Sequence, residues 1–256
     1  MQKLILVKVG GKVVENSDSL TTLLKNFSSI KGPKVLIHGG GRSATALAKQ
    51  MGIETKMVDG RRITDKEMLK VVTMVYGGLV NKNIVARLQA MGINALGLTG
   101  ADLNYMEAVK RPVKDIDYGF AGDITKVNIE VLCPLVEKNI VPVLAPLSHD
   151  KNGQLLNTNA DTIAAEASIA FSKYFETELV YCFDMPGVMT NPDDMTSVIS
   201  DLTFSKFKEY QEEGVISDGM IPKLDNSFRA LSKGVNKIRI TNVLGLNMGG
   251  TNLINN

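Results

Sequence analysis

Apolar positions along this chain alternate between two patterns. Short, nearly continuous apolar runs occur at "LILVKV" (Leu4 to Val9), "KVLIH" (Lys34 to His38), "INALGLT" (Ile93 to Thr99), "IVPVLAP" (Ile140 to Pro146), "ELVYCF" (Glu178 to Phe183) and "KIRIT" (Lys237 to Thr241). Runs of this kind predict strands covered on both faces. Between them lie stretches of helical period. One follows the glycines of "KVLIHGGGRSATALAKQMG". A second opens at "TDKE", where Thr64 and Glu67 have capping-box spacing. Others cover Asp161 to Phe171 and Pro222 to Ser232; in the last, Met220, Leu224, Phe228 and Leu231 form the apolar stripe. The alternation predicts an α/β fold with a mainly parallel sheet and helices on both faces. Tyr105 to Asn128 breaks the rhythm, being glycine-containing, mixed in charge and without helical period, and reads as β-hairpins at an edge.

Composition narrows the function classes. The chain has 256 residues, enough for one large domain or two lobes sharing a core. A net charge of +2 is too small to argue for nucleic acid or an anionic membrane surface. No apolar run approaches a membrane span, and the N-terminus, "MQKLILVKVGGK", enters a strand without a signal-peptide pattern. Cys133 and Cys182 lie in apolar surroundings without metal-type spacing. A reduced cytoplasmic setting fits these features.

Three consecutive glycines between a strand and a helix need an explanation, because each costs backbone entropy. The usual one is an anion held by exposed N–H groups at a helix start. Gly39, Gly41 and Ala44 also satisfy G-x-G-x-x-A, with Asp59 about twenty residues on. A nicotinamide-dependent oxidoreductase is therefore one reading of the turn, although such spacing recurs by chance.

Two lysines stand in unexpected places. Lys8 interrupts a strand expected to be buried, so it faces a cleft at the strand's end, has an anionic partner, or snorkels from an edge. Lys223 falls in the first turn of a helix begun by Pro222, where a cation is disfavoured unless an anion sits nearby. "NTNAD" places Asn157, Asn159 and Asp161 ahead of a small-residue helix. An N-cap by Asn159 or Asp161 accounts for one of the three polar side chains.

Together, "KVGGK", "HGGG", "DGRRIT", "NTNAD" and "DGMIPK" occur in the order and approximate spacing of the amino acid kinase family, which the whole chain resembles. "HGGG" and "KxGG" belong to the wider family. "NxNAD" with "GRR" resembles the members that phosphorylate an N-acyl-glutamate. "DYGFAGDITKVN" (Asp117 to Asn128) is similar to their acyl-side hairpin and "DMPGVM" (Asp184 to Met189) to their nucleotide-lobe turn.

The resemblance implies an open three-layer α/β/α sandwich with two lobes. Residues 1–171 would bind the acyl amino acid and dimerise, and residues 172–256 would bind ATP. It implies ATP-dependent phosphorylation of the γ-carboxylate of an N-acyl-L-glutamate, an arginine-biosynthesis step. Lys8 would stabilise the phosphoryl group in flight, Lys223 would neutralise charge on the ADP side, and Asp161 would hold both lysines. Gly11, Gly40 and Gly41 would donate N–H bonds to phosphate oxygens. Arg62 and Asn157 would grip the substrate's α-carboxylate. Gly10, Asp184 and Gly187 join Lys8, Gly11 and Lys223 on the nucleotide side. The acceptor carboxylate is ionised at neutral pH, so no general base is required and His38 and His149 need not be catalytic. Mg²⁺ would ride on the ATP phosphates, with no dedicated protein ligands.

Ala101 and Leu103 in "GLTGADLNYMEA" stand where relatives often carry Lys and Gly, and "DIDYGFAGDI" is a variant hairpin. Both departures lie on the acyl side. Acetyl is the default acyl group, with succinyl as the alternative, and Lys110, Arg111, Lys114 and Lys126 supply candidate cations for a second carboxylate. The first strand begins near Lys3, without the N-terminal helical extension of arginine-inhibited relatives, which points to an arginine-insensitive homodimer. A non-catalytic small-molecule sensor is a further alternative, against which the retention of both Lys8 and Lys223 argues.

Overall fold

The computed structural model describes residues 1–58, 60–191, 193–216 and 220–255. Asp59, the acidic member of the dinucleotide-type spacing, and Asp218 and Gly219 of "DGMIPK" lie outside the described residues.

The chain opens with β1 (Lys3–Val9), α1 (Gly11–Glu15) and α2 (Ser17–Ser29). β2 (Lys34–His38) leads through the glycines into α3 (Gly41–Gln50). A small hairpin, β3 (Met57–Val58) and β4 (Arg61–Arg62), precedes a long helical stretch made of α4 (Lys66–Val72), a π-helical segment (Thr73–Val80) and α5 (Asn81–Ala90). Then come β5 (Ala95–Leu98), β6 (Met106–Lys110), β7 (Gly122–Val127), α6 (Cys133–Glu137), β8 (Val141–Leu144), β9 (Leu147–His149), β10 (Leu155–Asn157) and α7 (Ala160–Phe171). The last part comprises β11 (Glu176–Phe183), β12 (Asp201–Thr203), α8 (Phe204–Glu212), α9 (Ile221–Ser232), β13 (Lys237–Asn242) and β14 (Thr251–Ile254).

All six apolar runs form strands of one eight-stranded sheet, ordered β12-β14-β13-β11-β1-β2-β8-β5. Its pairs are parallel except β13 with β14. Strands from before residue 172 occupy one half of the sheet and strands from after it the other, with β1 against β11 at the join. The carboxyl ends of β1, β2 and β11 therefore share one edge, and the connections diverge to opposite sides there. That is where open α/β sheets bind ligands. Two apolar cores cover the sheet's faces, one including Leu4, Leu6, Phe171 and Leu179, the other Val7, Val9, Leu36 and Val180. Alternate residues of β1 thus go to opposite cores, which makes both faces buried.

Some expectations need correction. The helix predicted from a Thr64–Glu67 capping box begins later: Asp65 is its N-cap and accepts from the Met68 amide. Thr64 is unable to cap because its backbone is engaged elsewhere, its N–H donating to Tyr118 O and its carbonyl accepting from Phe120 N. Tyr105 to Asn128 forms antiparallel structure at an edge, as the sequence suggested, but in one pair and in a second sheet. It contributes one antiparallel pair, β6 with β7, to a separate four-stranded sheet ordered β10-β9-β6-β7. Of the two N-cap candidates before α7, Asn159 is the cap, accepting from the Asp161 and Thr162 amides. Among the described residues, no helix is long and apolar enough to cross a membrane.

Candidate active site

The edge where β1, β2 and β11 end carries most of the singled-out residues. β1 runs into Gly10, whose N–H donates to Cys182 O at 3.0 Å, and β2 runs into Gly39, whose N–H donates to Val9 O at 3.0 Å. The two glycine turns therefore pack backbone to backbone. A Cβ on Gly39 would stand 3.2 Å from Gly11 N, and one on Gly11 would stand 3.8 Å from Gly41 N and 3.9 Å from Gly40 N. A side chain on Gly39 would press the two turns apart, and one on Gly11 would fill the space beside the Gly40 and Gly41 amides.

Lys8 has the anionic partner that its burial demands. It is 5% exposed, and its Nζ lies 2.6 Å from Asp161 Oδ1 in the first turn of α7. A lone ammonium at that depth is very unfavourable; the carboxylate offsets much of the desolvation. Asp161 Oδ1 has no well-aligned hydrogen-bond donor, so the contact is an ion pair rather than a directed bond.

Phe183, at the end of β11, carries the other lysine. The Nζ of Lys8 lies 4.9 Å from its ring centroid and that of Lys223 lies 4.4 Å. The aromatic ring thus brings the two ammonium groups to one site, each contact being of cation–π type. Burial holds Lys223 below the ordinary lysine range, with Lys8 and Lys12 pushing the same way and Asp161 and Asp184 opposing. Phe183 escaped the sequence reading because it closes an apolar run and looks like one more core residue.

A cavity of about 210 Å³ lies beside this pair, lined by Lys8, Gly40, Gly41, Arg62, Asn157 and Asp161, with Arg111 and Gly122 also on its wall. Arg62 is 9% exposed and fixed in place. Its Nη2 donates to Gly41 O at 2.7 Å and to Thr45 Oγ1 at 2.9 Å. Asn157 Nδ2 donates to Thr64 Oγ1 at 2.8 Å. Thr45 and Thr64, which orient these two residues, carry no sequence signal of their own. A broader cleft adjoins the cavity, shares Asp161 and Arg111 with it, and is lined by Lys223 and Asn226.

Not every expected residue lines these spaces. Gly10, Gly11, Asp184 and Gly187 lie outside both. Gly11 abuts the Gly40 and Gly41 amides. Asp184 forms an ion pair with Lys12, the residue after the first glycine turn. Gly187 is bare for packing reasons: a Cβ there would lie 2.7 Å from Thr251 Oγ1 and from Val198 Cγ1.

His38 is fully buried. Its Nδ1 donates to Gly39 O at 2.7 Å and its Nε2 accepts from Asn81 Nδ2 at 3.1 Å. That pattern fits the neutral ring, since an amide N–H can only donate. Burial pushes the ring's pKa down to about 4, partly opposed by the Gly39 carbonyl. Asn81 Nδ2 also donates to Val143 O at 2.9 Å, so the imidazole ties β2 to the helix that passes behind it. His149 lies outside both spaces, against Asn104 Oδ1 and Asp150 O. Among the described residues, no group of three or more His, Cys, Asp or Glu has an arrangement that could hold a metal ion.

The chain is 59% identical over 249 residues to a Parabacteroides distasonis protein named acetylglutamate kinase, covering 97% of this chain and 98% of that one. It is 60% identical over 240 residues to a protein of the same name from Bacteroides thetaiotaomicron, covering 94% and 93%. A crystal structure of a Streptococcus mutans protein superposes with a TM-score of 0.82 at 27% identity, covering 98% of each chain. The profile of the amino acid kinase family matches residues 3–242, and the chain belongs to that family.

Proposed function

We propose that this protein is an acetylglutamate kinase, transferring the γ-phosphoryl group of ATP to the γ-carboxylate of N-acetyl-L-glutamate in arginine biosynthesis. The observation that carries this reading is the cavity itself, lined by the second glycine turn and a buried Lys8 together with a fixed guanidinium and a carboxamide. The first group suits a phosphoryl in transit and the second an α-carboxylate. Relatives of 59% and 60% identity bearing that name support it.

In this reading Arg62 and Asn157 hold the α-carboxylate and orient the γ-carboxylate towards the glycine turns. The acceptor is already ionised, so the protein has no proton to remove. Its work is alignment and charge neutralisation, as in other phosphoryl transfers. Lys8 stabilises the charge that develops on the transferred group, and the Gly11, Gly40 and Gly41 amides donate to its oxygens. Lys223 neutralises the leaving side. Asp161 keeps Lys8 in place through the ion pair and Lys223 through its longer-range charge. Residues 172–256, with Gly10, Asp184 and Gly187 at the junction, form the ATP side, and residues 1–171 form the acceptor side. Mg²⁺ enters on the nucleotide phosphates, where it neutralises their charge.

Arg111 supports a second reading of the acyl group. It lines the cavity and makes a forked contact with Asp123, its Nη2 2.5 Å and its Nε 3.0 Å from Oδ1. A succinyl carboxylate would have to compete with Asp123 for this guanidinium, which favours acetyl. A coupled ADP-release assay with N-acetylglutamate, N-succinylglutamate, free glutamate and aspartate tests both levels. Turnover of neither acyl compound overturns the kinase reading. A kcat/KM for the succinyl compound at least about tenfold above that for acetyl overturns only the acyl assignment, since one charge-assisted bond accounts for such a ratio.

We also place the enzyme in the cytoplasm as a homodimer. The cysteines are buried and unpaired. The sheet ends in β5, an open edge strand with Leu96 39% exposed, and the π-helical segment exposes Leu79 at 58%. Open edges and exposed aliphatic side chains are usually covered in the assembled protein. A monomeric mass in sedimentation velocity at micromolar concentration would remove the homodimer.

A further inference from the structure

Tyr76 lies in the π-helical segment, inside an unbroken apolar stretch, and nothing in the mechanism above uses it. π-helical turns are rare and concentrate at functional sites. Here the segment presents Tyr76 and Val80 to the second glycine turn. A Cβ on Gly40 would lie 3.0 Å from Tyr76 Cδ1, 3.2 Å from Cε1 and 3.5 Å from Val80 Cγ2. The bareness of Gly40 is thus matched to the face of this ring.

The hydroxyl reaches further. A Cβ on Gly41 would stand 4.0 Å from Tyr76 Oη and 3.7 Å from Arg62 Nη2. Gly41 therefore leaves a notch whose walls are a guanidinium and a phenol, and both residues line the cavity. The Arg62 guanidinium acts on the phenol through its charge, and its Nη2 already donates to Gly41 O and Thr45 Oγ1. Guanidinium has donors only and cannot accept the phenol's proton, so that proton is left to donate elsewhere. Among the described residues, no acceptor for that proton is found. Burial raises the Tyr76 pKa, with Arg62 opposing, so the proton is present at neutral pH. A donor on a largely buried residue, beside a cation and opening on a cavity, suits an anionic acceptor.

We infer that Tyr76 is a substrate-binding residue whose hydroxyl donates to the substrate's α-carboxylate beside Arg62, while its ring holds the Gly40–Gly41 turn. The inference rests on the acyl-glutamate reading of the site. The pair then discriminates for an α-carboxylate by two bonds of different kinds, one from a cation and one from a neutral donor.

Tyr76→Phe keeps the ring against Gly40 and removes only the donor. The experiment compares wild type and variant on N-acetylglutamate and on N-acetyl-4-aminobutyrate, which lacks the α-carboxylate, with ATP varied separately. The expected result is a KM for N-acetylglutamate raised about fivefold or more, a KM for ATP changed less than twofold, and equal kcat/KM of the two enzymes on the truncated substrate. A smaller rise in KM overturns the inference, as does an equal loss on both substrates, which would put the hydroxyl at the phosphoryl end or in a purely structural role. Failure of the wild type itself to turn over N-acetylglutamate is a failure of the functional reading, not of the hydroxyl's placement alone.

Discussion

The two sides of this cleft, which we propose receive the acceptor and the nucleotide, are built to different standards. On the acceptor side three polar groups of the cavity are held: Arg62 by Gly41 O and Thr45, Asn157 by Thr64, Lys8 by Asp161. On the nucleotide side Lys223 rests on the Phe183 ring and makes no ion pair within 4 Å among the described residues. Asp184 pairs with Lys12 where both are about half exposed, and Leu244 and Met248, in the turn after β13, are 81% and 96% exposed. The acceptor side is therefore preorganised and loses little freedom on binding. The nucleotide side carries cationic charge that polyphosphate would satisfy, and Lys223 regains a full counter-charge only when phosphate arrives.

Breaking the preorganised side at the reacting group should give the largest effect. Lys8→Ala in a folded enzyme should lower kcat by more than about tenfold and up to about a thousandfold, as removal of one charge stabiliser does. Unchanged kcat would remove Lys8 from the mechanism. The variant also leaves Asp161 buried without its ion-pair partner, so a thermal melt must accompany the kinetics.

Arg62 sharpens the contrast between the two sides. An ammonium cannot reproduce the fork that reaches Gly41 O and Thr45 and still present a face to the substrate. Arg62→Lys should raise KM for the acyl-glutamate about tenfold or more, with KM for ATP nearly unchanged. An equal rise for both substrates, or a rise for ATP alone, would move Arg62 to the nucleotide side.

How much of this was legible in the sequence follows the same division. Continuous apolar runs named six of the eight strands of the main sheet, because strands buried on both faces have no polar alternation to confuse them. β12 and β14 were missed because, in "DLT" and "TNLI", polar residues leave no continuous apolar run. Lys8 was legible because charge in a buried strand is a contradiction that needs a cleft, an edge or a partner, and its partner proved to be in the "NTNAD" motif. Phe183 and Tyr76 were not legible. Each sits in an apolar run and satisfies the pattern for a core residue, and only the packing of the second glycine turn and the two lysines gives them a role. The capping box at Thr64 failed because a tertiary contact with the Tyr118–Phe120 backbone had prior use of that residue's backbone. Local signals are weak against such contacts.

His38 tests whether the acceptor side is rigid through its scaffold. The ring stays neutral in the fold down to a pKa of about 4, whereas an unfolded histidine protonates near 6.5. Between those values the unfolded chain binds the extra proton, so stability is full above about pH 6.5 and falls as pH drops towards 4. At pH 5 the loss from this one group is about 2 kcal/mol. His38→Gln removes the titration, so its drop in Tm between pH 7.5 and pH 5 should be smaller than that of the wild type. An equal drop in both proteins would show that protonation elsewhere governs acid lability.

The smallest effect belongs to the loosest contact. Lys12 and Asp184 join the first glycine turn to the end of β11, that is, the acceptor half of the sheet to the nucleotide half. Burial alone would raise the Asp184 carboxyl. Lys12, the residue's own amide and Lys223 hold it below the usual range instead. Because both partners are exposed, the pair contributes only about 0.2 to 1 kcal/mol, and salt screens it. Lys12→Ala should therefore leave Tm within a few degrees of wild type and leave KM for the acyl-glutamate unchanged. If Asp184 does belong to the nucleotide side, releasing it from Lys12 alters the local charge met by polyphosphate, and KM for ATP should move by about two- to fivefold with a salt dependence that differs from wild type. A change in KM for the acyl-glutamate instead would mean that the two sides are coupled through this contact, and the division drawn between a preorganised acceptor side and an adaptable nucleotide side would have to be abandoned at the first glycine turn.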